Sequence, residues 1–424
     1  MSWNLENLLK NAAGVDDYKI YSVQTVSYEL FFVHDRLETV RSTDTTDTEV
    51  TVYADHDGYR GDASFKLYAA TTEAEAAEKI AKAVEKARVI NNQTYTLPEN
   101  ETLDGTVASN FTETTPQILA KQMAEAVFAA DCCGKGSINA LEIFVNQHVI
   151  TVKNSRGIDK RETKYGAMIE AIPTWTDGES VELYECQRFN RFDAEKVTAE
   201  IERRIREVRD RAIAKIPTEK PNCTVVLDAA EVANLMGEIA FDLNYSAVYA
   251  GSNLFSIGDA VQKDVTGDLL TVTMRGAVEG SVDSHLFDGN GTTLIDTEII
   301  RDGSVTDYFG NHRFAQYLNR KATGNLACID IAAGTLTTAE LAKKPYFRCV
   351  SMSGLQVDLC NDYIGGEVRL AYYCKDGETV PVTGISISGK LSAALASMRL
   401  AEERTIADGS LVPKFAAFEG IEIV

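Results

Sequence analysis

The sequence predicts an α+β fold in two domains, and three observations carry that reading. Segments rich in Val, Tyr and Phe come in blocks, so the first part reads as sheet, then helices, then sheet, then helix. A chain of 424 residues is long for one core, which favours two domains of ordinary size. The run Ile216-Pro217-Thr218-Glu219-Lys220-Pro221 follows a long charged helix and reads as a linker, and beyond it the chain becomes Gly-rich and β-like. The expected domains are 1–218, with mixed sheets and helices, and 219–424, rich in strands.

Taken in order, Tyr18 to Val33 is strand-like, and His34-Asp35 makes a short turn before a strand from Leu37 to Ser42. Strands at Glu49 to Tyr53 and Tyr59 to Lys66 flank Asp57-Gly58, a hairpin signal. Thr72 and Glu75 form a capping box that opens a helix to about Ile90, with Ala76, Ala77, Ile80, Ala83, Val84 and Ala87 on one face. The polar stretch from Asn91 to Asn110 holds Pro98 and Gly105 and reads as a long loop. Pro116 starts a second helix to about Asp131, which Gly134 and Gly136 end. Strands follow at Leu141–Val152, Lys164–Ala171 and Ser180–Phe189, then a helix from about Asp193 to Ala214. Phe32–Val40 echoes Phe144–Val152, each reading as strand, polar turn, strand. After the linker come a buried strand at Thr224–Leu227, an apolar helix, hairpin turns at Asp302-Gly303 and Asp376-Gly377, and a late helix over Leu391–Leu400.

Composition narrows the function. Hydrophobic content of 45% and charged content of 25% are those of a soluble globular protein. No apolar run approaches the roughly 18 residues that span a bilayer. The N-terminal residues lack the basic and long apolar regions of a signal peptide, so a cytoplasmic location is expected. The eight cysteines, with no C-x-x-C pair, read as reduced and mostly buried thiols. The net charge of −21 repels phosphate backbones and argues against direct nucleic-acid binding. The basic run from Glu202 to Arg211 alternates with acids at helical spacing and reads as a solvated, ion-paired face. The five histidines stand at no local metal-ligand spacing, although His285 and His312 could meet in space. Asp283-Ser284-His285 is not read as a triad, because a nucleophile and its base must face each other. Gly289-Asn290-Gly291 has no following helix or lysine and reads as a turn, not a phosphate cradle.

The most informative segment runs from Val232 to Leu243. Apolar residues at Val232, Leu235, Met236, Ile239, Ala240 and Leu243 make one buried stripe of a helix. Off the stripe sit Gly237, Glu238 and Asp242, with Asn234 a turn earlier on the flank of Glu238. Glu238 and Asp242 stand at i, i+4, so two carboxylates share a flank on which a hard cation such as Mg²⁺ or Ca²⁺ is one option.

This helix and its flanks resemble the TldD/PmbA family, which pairs a zinc-peptidase subunit with a related partner. The resemblance extends along nearly the whole chain. It includes Asn154-Ser155-Arg156-Gly157, Ser252 to Gly258, Leu294 to Gly303, Ala315 to Asn325 with its closing Thr323-Gly324-Asn325, and Pro381 to Gly389. In the peptidase branch the helix carries His-Glu-x-x-x-His, and a cysteine near the C-terminus is the third ligand. Here Gly237 and Asp242 occupy the two histidine positions, only Glu238 survives, and no cysteine follows Cys374. The resemblance therefore implies the PmbA/TldE-like branch, whose members lack the zinc ligands. It implies no cofactor on this chain, zinc on a TldD-like sister subunit, a peptide or unfolded protein as substrate, and assembly with that sister or as a homodimer. One alternative is an independent metal-dependent peptidase or hydrolase, with Glu238 as general base on metal-bound water and Asp242 as a ligand. A weaker one is a regulator of a DNA enzyme through protein contact, in line with the family's older label as modulator of DNA gyrase.

Overall fold

A computed structural model describes residues 3–424, and its fold is mixed α+β. The first half opens with α1 (Leu5–Asn11), β1 (Asp17–Val33), β2 (Arg36–His56), β3 (Tyr59–Leu67), α2 (Glu73–Ala87) and β4 (Thr102–Thr106). It continues with α3 (Pro116–Phe128), β5 (Gly136–Asn154), β6 (Asp159–Asp177), β7 (Glu179–Glu182), β8 (Glu185–Phe189) and α4 (Ala194–Ile213). One sheet has the order β3-β2-β1-β5-β6-β4, with β7 and β8 also on β6. Its helices begin at the signals the sequence offers. Thr72 and Glu75 make the capping box of α2, and Thr115 caps α3 with Pro116 inside its first turn. Asp57 and Gly58 take φ of +49° and +82°, the left-handed pair a tight hairpin requires.

Three expectations about the strands and loops are corrected in this half. The strands expected at Leu37–Ser42 and Glu49–Tyr53 are one strand, β2, because the Thr-rich stretch between them pairs residue by residue with β1, from Ser42↔Tyr28 to Thr48↔Ser22. The loop expected over 91–110 contains β4, which lies parallel to β6. The echo is not a repeat of structure. Asn146 to His148 lie inside unbroken β5, whereas Phe32–Val40 wraps the end of the β1–β2 hairpin.

Helices α3 and α4 cover one end of the sheet, where Leu30, Leu141, Ile143 and Ile169 meet Met123, Ile201 and Ile205. Helix α2 covers the other end, with Ile80 and Val84 against Ile20, Val50 and Val52. The basic run of α4 is ion-paired as expected but only partly solvated, with Arg206 exposed and Arg203 and Arg204 half-buried. Arg203 and Arg204 pair with Glu200, Glu207 and Glu185, and both Glu207 and Glu185 are buried between the helix and the sheet.

The second half begins with β9 (Thr224–Asp228), α5 (Ala229–Asp242), α6 (Tyr245–Ala250), β10 (Val272–Arg275), β11 (Thr297–Arg301), β12 (Ser304–Val305) and α7 (His312–Tyr317). Next come β13 (Cys328–Ile331), α8 (Thr338–Leu341), β14 (Tyr346–Met352), β15 (Gln356–Asp358), β16 (Tyr363–Lys375), β17 (Glu378–Val382) and β18 (Ile385–Lys390). The chain ends with α9 (Leu391–Ser397), β19 (Arg399–Leu400), β20 (Arg404–Ala407), β21 (Ser410–Pro413), β22 (Phe415–Phe418) and β23 (Ile421–Ile423). One sheet runs β12-β11-β10-β13-β21-β20. The other runs β19-β22-β9-β14-β16-β18-β23, with β15 and β17 on β16. The stripe of α5 lies in the core that both sheets share, with Leu235, Met236 and Ile239 in one cluster with Ile329, Phe347, Val412 and Phe418. Asp302-Gly303 and Asp376-Gly377 take the same left-handed pair as Asp57-Gly58.

All eight cysteines are free thiols, but only Cys328 and Cys349 are buried, while Cys186 and Cys360 are exposed. Apart from the adjacent Cys132 and Cys133 they sit on different strands and turns, so their burial follows the local face and not residue type. No helix among the described residues is long and apolar enough to cross a membrane.

Candidate functional site

Helix α5 leaves β9 at Asp228, whose carboxylate does not cap the helix but accepts from Arg348 Nε at 2.7 Å. The stripe predicted from Val232 to Leu243 is buried throughout. The flank divides. Glu238 is exposed and Gly237 half-buried, and a Cβ built on Gly237 meets nothing within 4 Å. The glycine is therefore not imposed by packing, and a larger side chain fits there. Asn234 Nδ2 donates to Leu355 O at 3.3 Å.

Asp242 points the other way. It is 6% exposed, and its carboxylate accepts from the backbone N–H of Leu254 at 2.6 Å and of Phe255 at 3.0 Å. A negative side chain receiving two amides makes strong, charge-assisted bonds. They fasten the segment after α6 to the end of α5. The two carboxylates thus lie in different surroundings, one in solvent and one committed to backbone amides. Among the described residues no group of three or more His, Cys, Asp or Glu is placed to hold a metal ion. Gly237 supplies no donor and Asp242 is occupied, so the residues present do not fit a three-ligand catalytic zinc.

Past the helix end, Asn244 caps α6, and Tyr245 Oη donates to Lys321 O at 2.9 Å. A cleft of about 510 Å³ opens beside Tyr245, lined by Asp296, Glu298, Asp307, Arg320 and Lys321. Its acids are largely compensated, with Arg320 on Asp307 at 3.0 Å and Arg275 on Asp296 at 2.8 Å. The Thr323-Gly324-Asn325 landmark does structural work below it. Thr323 Oγ1 accepts from Gly310 N, Gly324 takes φ of +78°, and Asn325 N donates to Asp288. Asp288 also accepts from Asn290 N and Thr292 N, so Gly289-Asn290-Gly291 is a pinned turn, as expected.

The histidines do not converge. His148 Nδ1 bonds Thr25 Oγ1, His312 lies near Asp288 and Glu101, and His285 turns toward β6. Asp283-Ser284-His285 is dispersed. Ser284 is spent on the backbone of Val278, and Asp283 pairs with Arg188 at 3.3 Å. Sequence reasoning missed the group that His285 does join. Its Nδ1 bonds the buried carboxylate of Glu162, and Lys164 Nζ lies 2.8 Å from its Nε2. A tautomer with Nδ1–H donating and Nε2 accepting satisfies both contacts. Glu162 also accepts from Leu286 N at 2.7 Å, and burial pushes the Lys164 ammonium below its usual range. Lys160, Glu162 and Lys164 alternate along β6, so all three face the second half of the chain. That i, i+2 charge row was the signal available in the sequence.

The site is thus a helix buried between two sheets, with one exposed carboxylate, Glu238, and one inward carboxylate, Asp242, at its end. Residues 220–423 match the family described as the PmbA/TldA metallopeptidase C-terminal domain. The fold of the whole chain is shared with TldE from Thermococcus kodakarensis, at TM-score 0.81 and 15% identity, covering 99% of each chain. It is also shared with a protein from Thermotoga maritima described as a candidate modulator of a DNA gyrase, at TM-score 0.77 and 14% identity over 99% of each. A protein of the same description from Bacteroides thetaiotaomicron gives 0.79 and 14%, covering 99% of this chain and 96% of its own. No curated protein matches the sequence significantly.

Proposed function

We propose that this chain is the ligand-free subunit of a TldD/TldE-type peptidase system, acting on peptides or unfolded proteins only together with a zinc-bearing sister subunit. The observation that carries this is Asp242. At a position where the peptidase branch has a ligand, this chain has a carboxylate turned inward to hold its own backbone. The exposed side chains of Phe241, Leu254 and Ile257 beside that helix end support a surface meant to be covered. An independent hydrolase built on Glu238 and Asp242 needs both carboxylates on one ion, and their separate surroundings weigh against it. Regulation of a DNA enzyme would act through protein contact, given the charge of −21. Two domains, 1–218 and 219–424, and a cytoplasmic location complete the proposal. Among the described residues no sheet takes strands from both sides of residue 218, and the isolated bridge from Lys215 to Val382 lies next to the boundary, which supports it.

Elemental analysis of the chain alone and mixed with a zinc-bearing sister subunit, with peptide cleavage followed in both, tests the reading. The expected result is a metal-free, inert chain and cleavage only in the mixture. One stoichiometric zinc with cleavage by the lone chain would overturn it.

A further inference from the structure

Strand β2 has an open edge. Strand β1 covers one side of it along its length, but β3 covers the other only from Thr48↔Leu67 to His56↔Tyr59. The two-residue turn at Asp57-Gly58 makes His56↔Tyr59 a hydrogen-bonded pair, so the even-numbered residues of β2 direct N–H and C=O away from β1. The register against β1 is regular from Thr39 onward, the one shift lying at Phe31/Phe32. Val40, Ser42, Asp44 and Thr46 therefore present unpaired backbone groups on the open side. Nearly every residue from Arg36 to Asp47 is exposed, and Val40 is 49% exposed. Of the devices that blunt a sheet edge, this run has charges at Arg41, Asp44 and Asp47 but no proline, lysine or glycine between Thr39 and Asp47, and five of its residues, Thr39, Val40, Thr43, Thr45 and Thr46, favour strands.

We propose that this edge pairs antiparallel with the same edge of a second copy of the chain, joining two sheets across a two-fold axis. Such an axis stands perpendicular to the sheet and keeps each residue on its own face. Only registers centred on a residue are then allowed. Centring on Thr43 uses the whole run, placing Ser42 opposite Asp44, Arg41 opposite Thr45, Val40 opposite Thr46 and Thr39 opposite Asp47. A hydroxyl then meets the Asp44 carboxylate, and Arg41 lies diagonal to Asp47 of the second copy, within reach of its long side chain. The neighbouring registers are poorer. Centring on Arg41 or Asp44 opposes like charges, and centring on Ser42 sets Asp44 against Val40. The run carries one cation and two anions, so the chain's overall charge of −21 is not concentrated there. The inference is independent of the peptidase reading.

Odd residues form non-hydrogen-bonded pairs across this edge, where Cα atoms approach to about 4.5 Å, within disulfide range. Thr43→Cys faces itself and is expected to give an intermolecular disulfide under mild oxidation, above the background of the unaltered chain. Arg41→Cys and Thr45→Cys are expected to cross-link when mixed but not separately. Ser42→Pro removes an outward N–H without touching the β1 ladder and is expected to convert a dimer to a monomer in sedimentation velocity. A monomeric unaltered chain at micromolar concentration, with or without bound extended peptide, would refute the proposal. So would a dimer that persists in Ser42→Pro, or Arg41→Cys cross-linking alone as readily as the mixture.

Discussion

Replacing Asp242 by alanine tests whether this carboxylate is an anchor or a ligand. The side chain accepts two amide N–H groups, at 2.6 and 3.0 Å. A hydrogen bond to a charged group contributes about 1.5–3 kcal/mol net. Leu254 is exposed and Phe255 only half-buried, so both amides regain some water in the variant, and the low end applies. The expected loss is about 3 kcal/mol for the two bonds together. For a unit of this size each kcal/mol moves Tm by roughly 2–4 °C, so the transition that includes α5 falls by roughly 6–12 °C in calorimetry. Asp242→Asn keeps one acceptor oxygen and is expected to lose about half as much. Elemental analysis of both variants and the native chain completes the assay. A melting temperature within about 1 °C of native in Asp242→Ala would refute the anchor. A divalent ion present in the native chain and lost from the variant would refute it independently.

Glu238→Gln changes an exposed flank and is expected to shift stability by less than about 0.5 kcal/mol and to leave cleavage by the mixed subunits unchanged; loss of that cleavage makes Glu238 functional. Asp17→Asn is expected to cost about 2 kcal/mol by urea titration, because it removes the charge that Arg60 meets at 2.8 Å and Arg156 also at 2.8 Å, while Arg60 keeps Asp55. Burial raises the Asp17 pKa, but hydrogen bonds from Arg156, Ser155 and Arg60 outweigh it and hold the carboxyl below its usual value. That contribution is present above about pH 3.9 and is lost as pH falls through the lower folded value, so an unchanged acid limb in Asp17→Asn would contradict it. Burial lowers the pKa of His148, with help from Lys164 and His285, and that of His312 against a partial opposing pull from Asp288. Their unfolded forms bind protons first, so stability is full above about pH 6.5 and declines below it. His148→Gln should flatten the fall in urea midpoint between about pH 7.5 and 5.5, and a slope as steep as native contradicts this.

Much of this architecture was legible because its signals are local. The capping box at Thr72 and Glu75, the proline opening α3, the Asp-Gly hairpins and the 3.6-residue stripe of α5 each depend on a few neighbouring side chains and the backbone angles they permit. The departures arise where distant chain decides. The threonines of β2 join a strand because β1 supplies a ladder. Residues Thr102–Thr106 become β4 because β6 offers an edge. Arg203 and Arg204 leave the solvent because Glu185 and Glu207 are buried beside them. The same division holds at the candidate site. The sequence by itself determined that the helix over Val232–Leu243 carries Gly237, Glu238 and Asp242 off its apolar stripe and no histidine, since side-chain chemistry is fixed by residue type. Only the tertiary structure decided which way those positions turn. Asp242 faces inward because the segment carrying Leu254 and Phe255 returns to bring two amides to it, and Glu162, Lys164 and His285 meet because β6 lies against a loop more than a hundred residues later, a proximity no local pattern encodes.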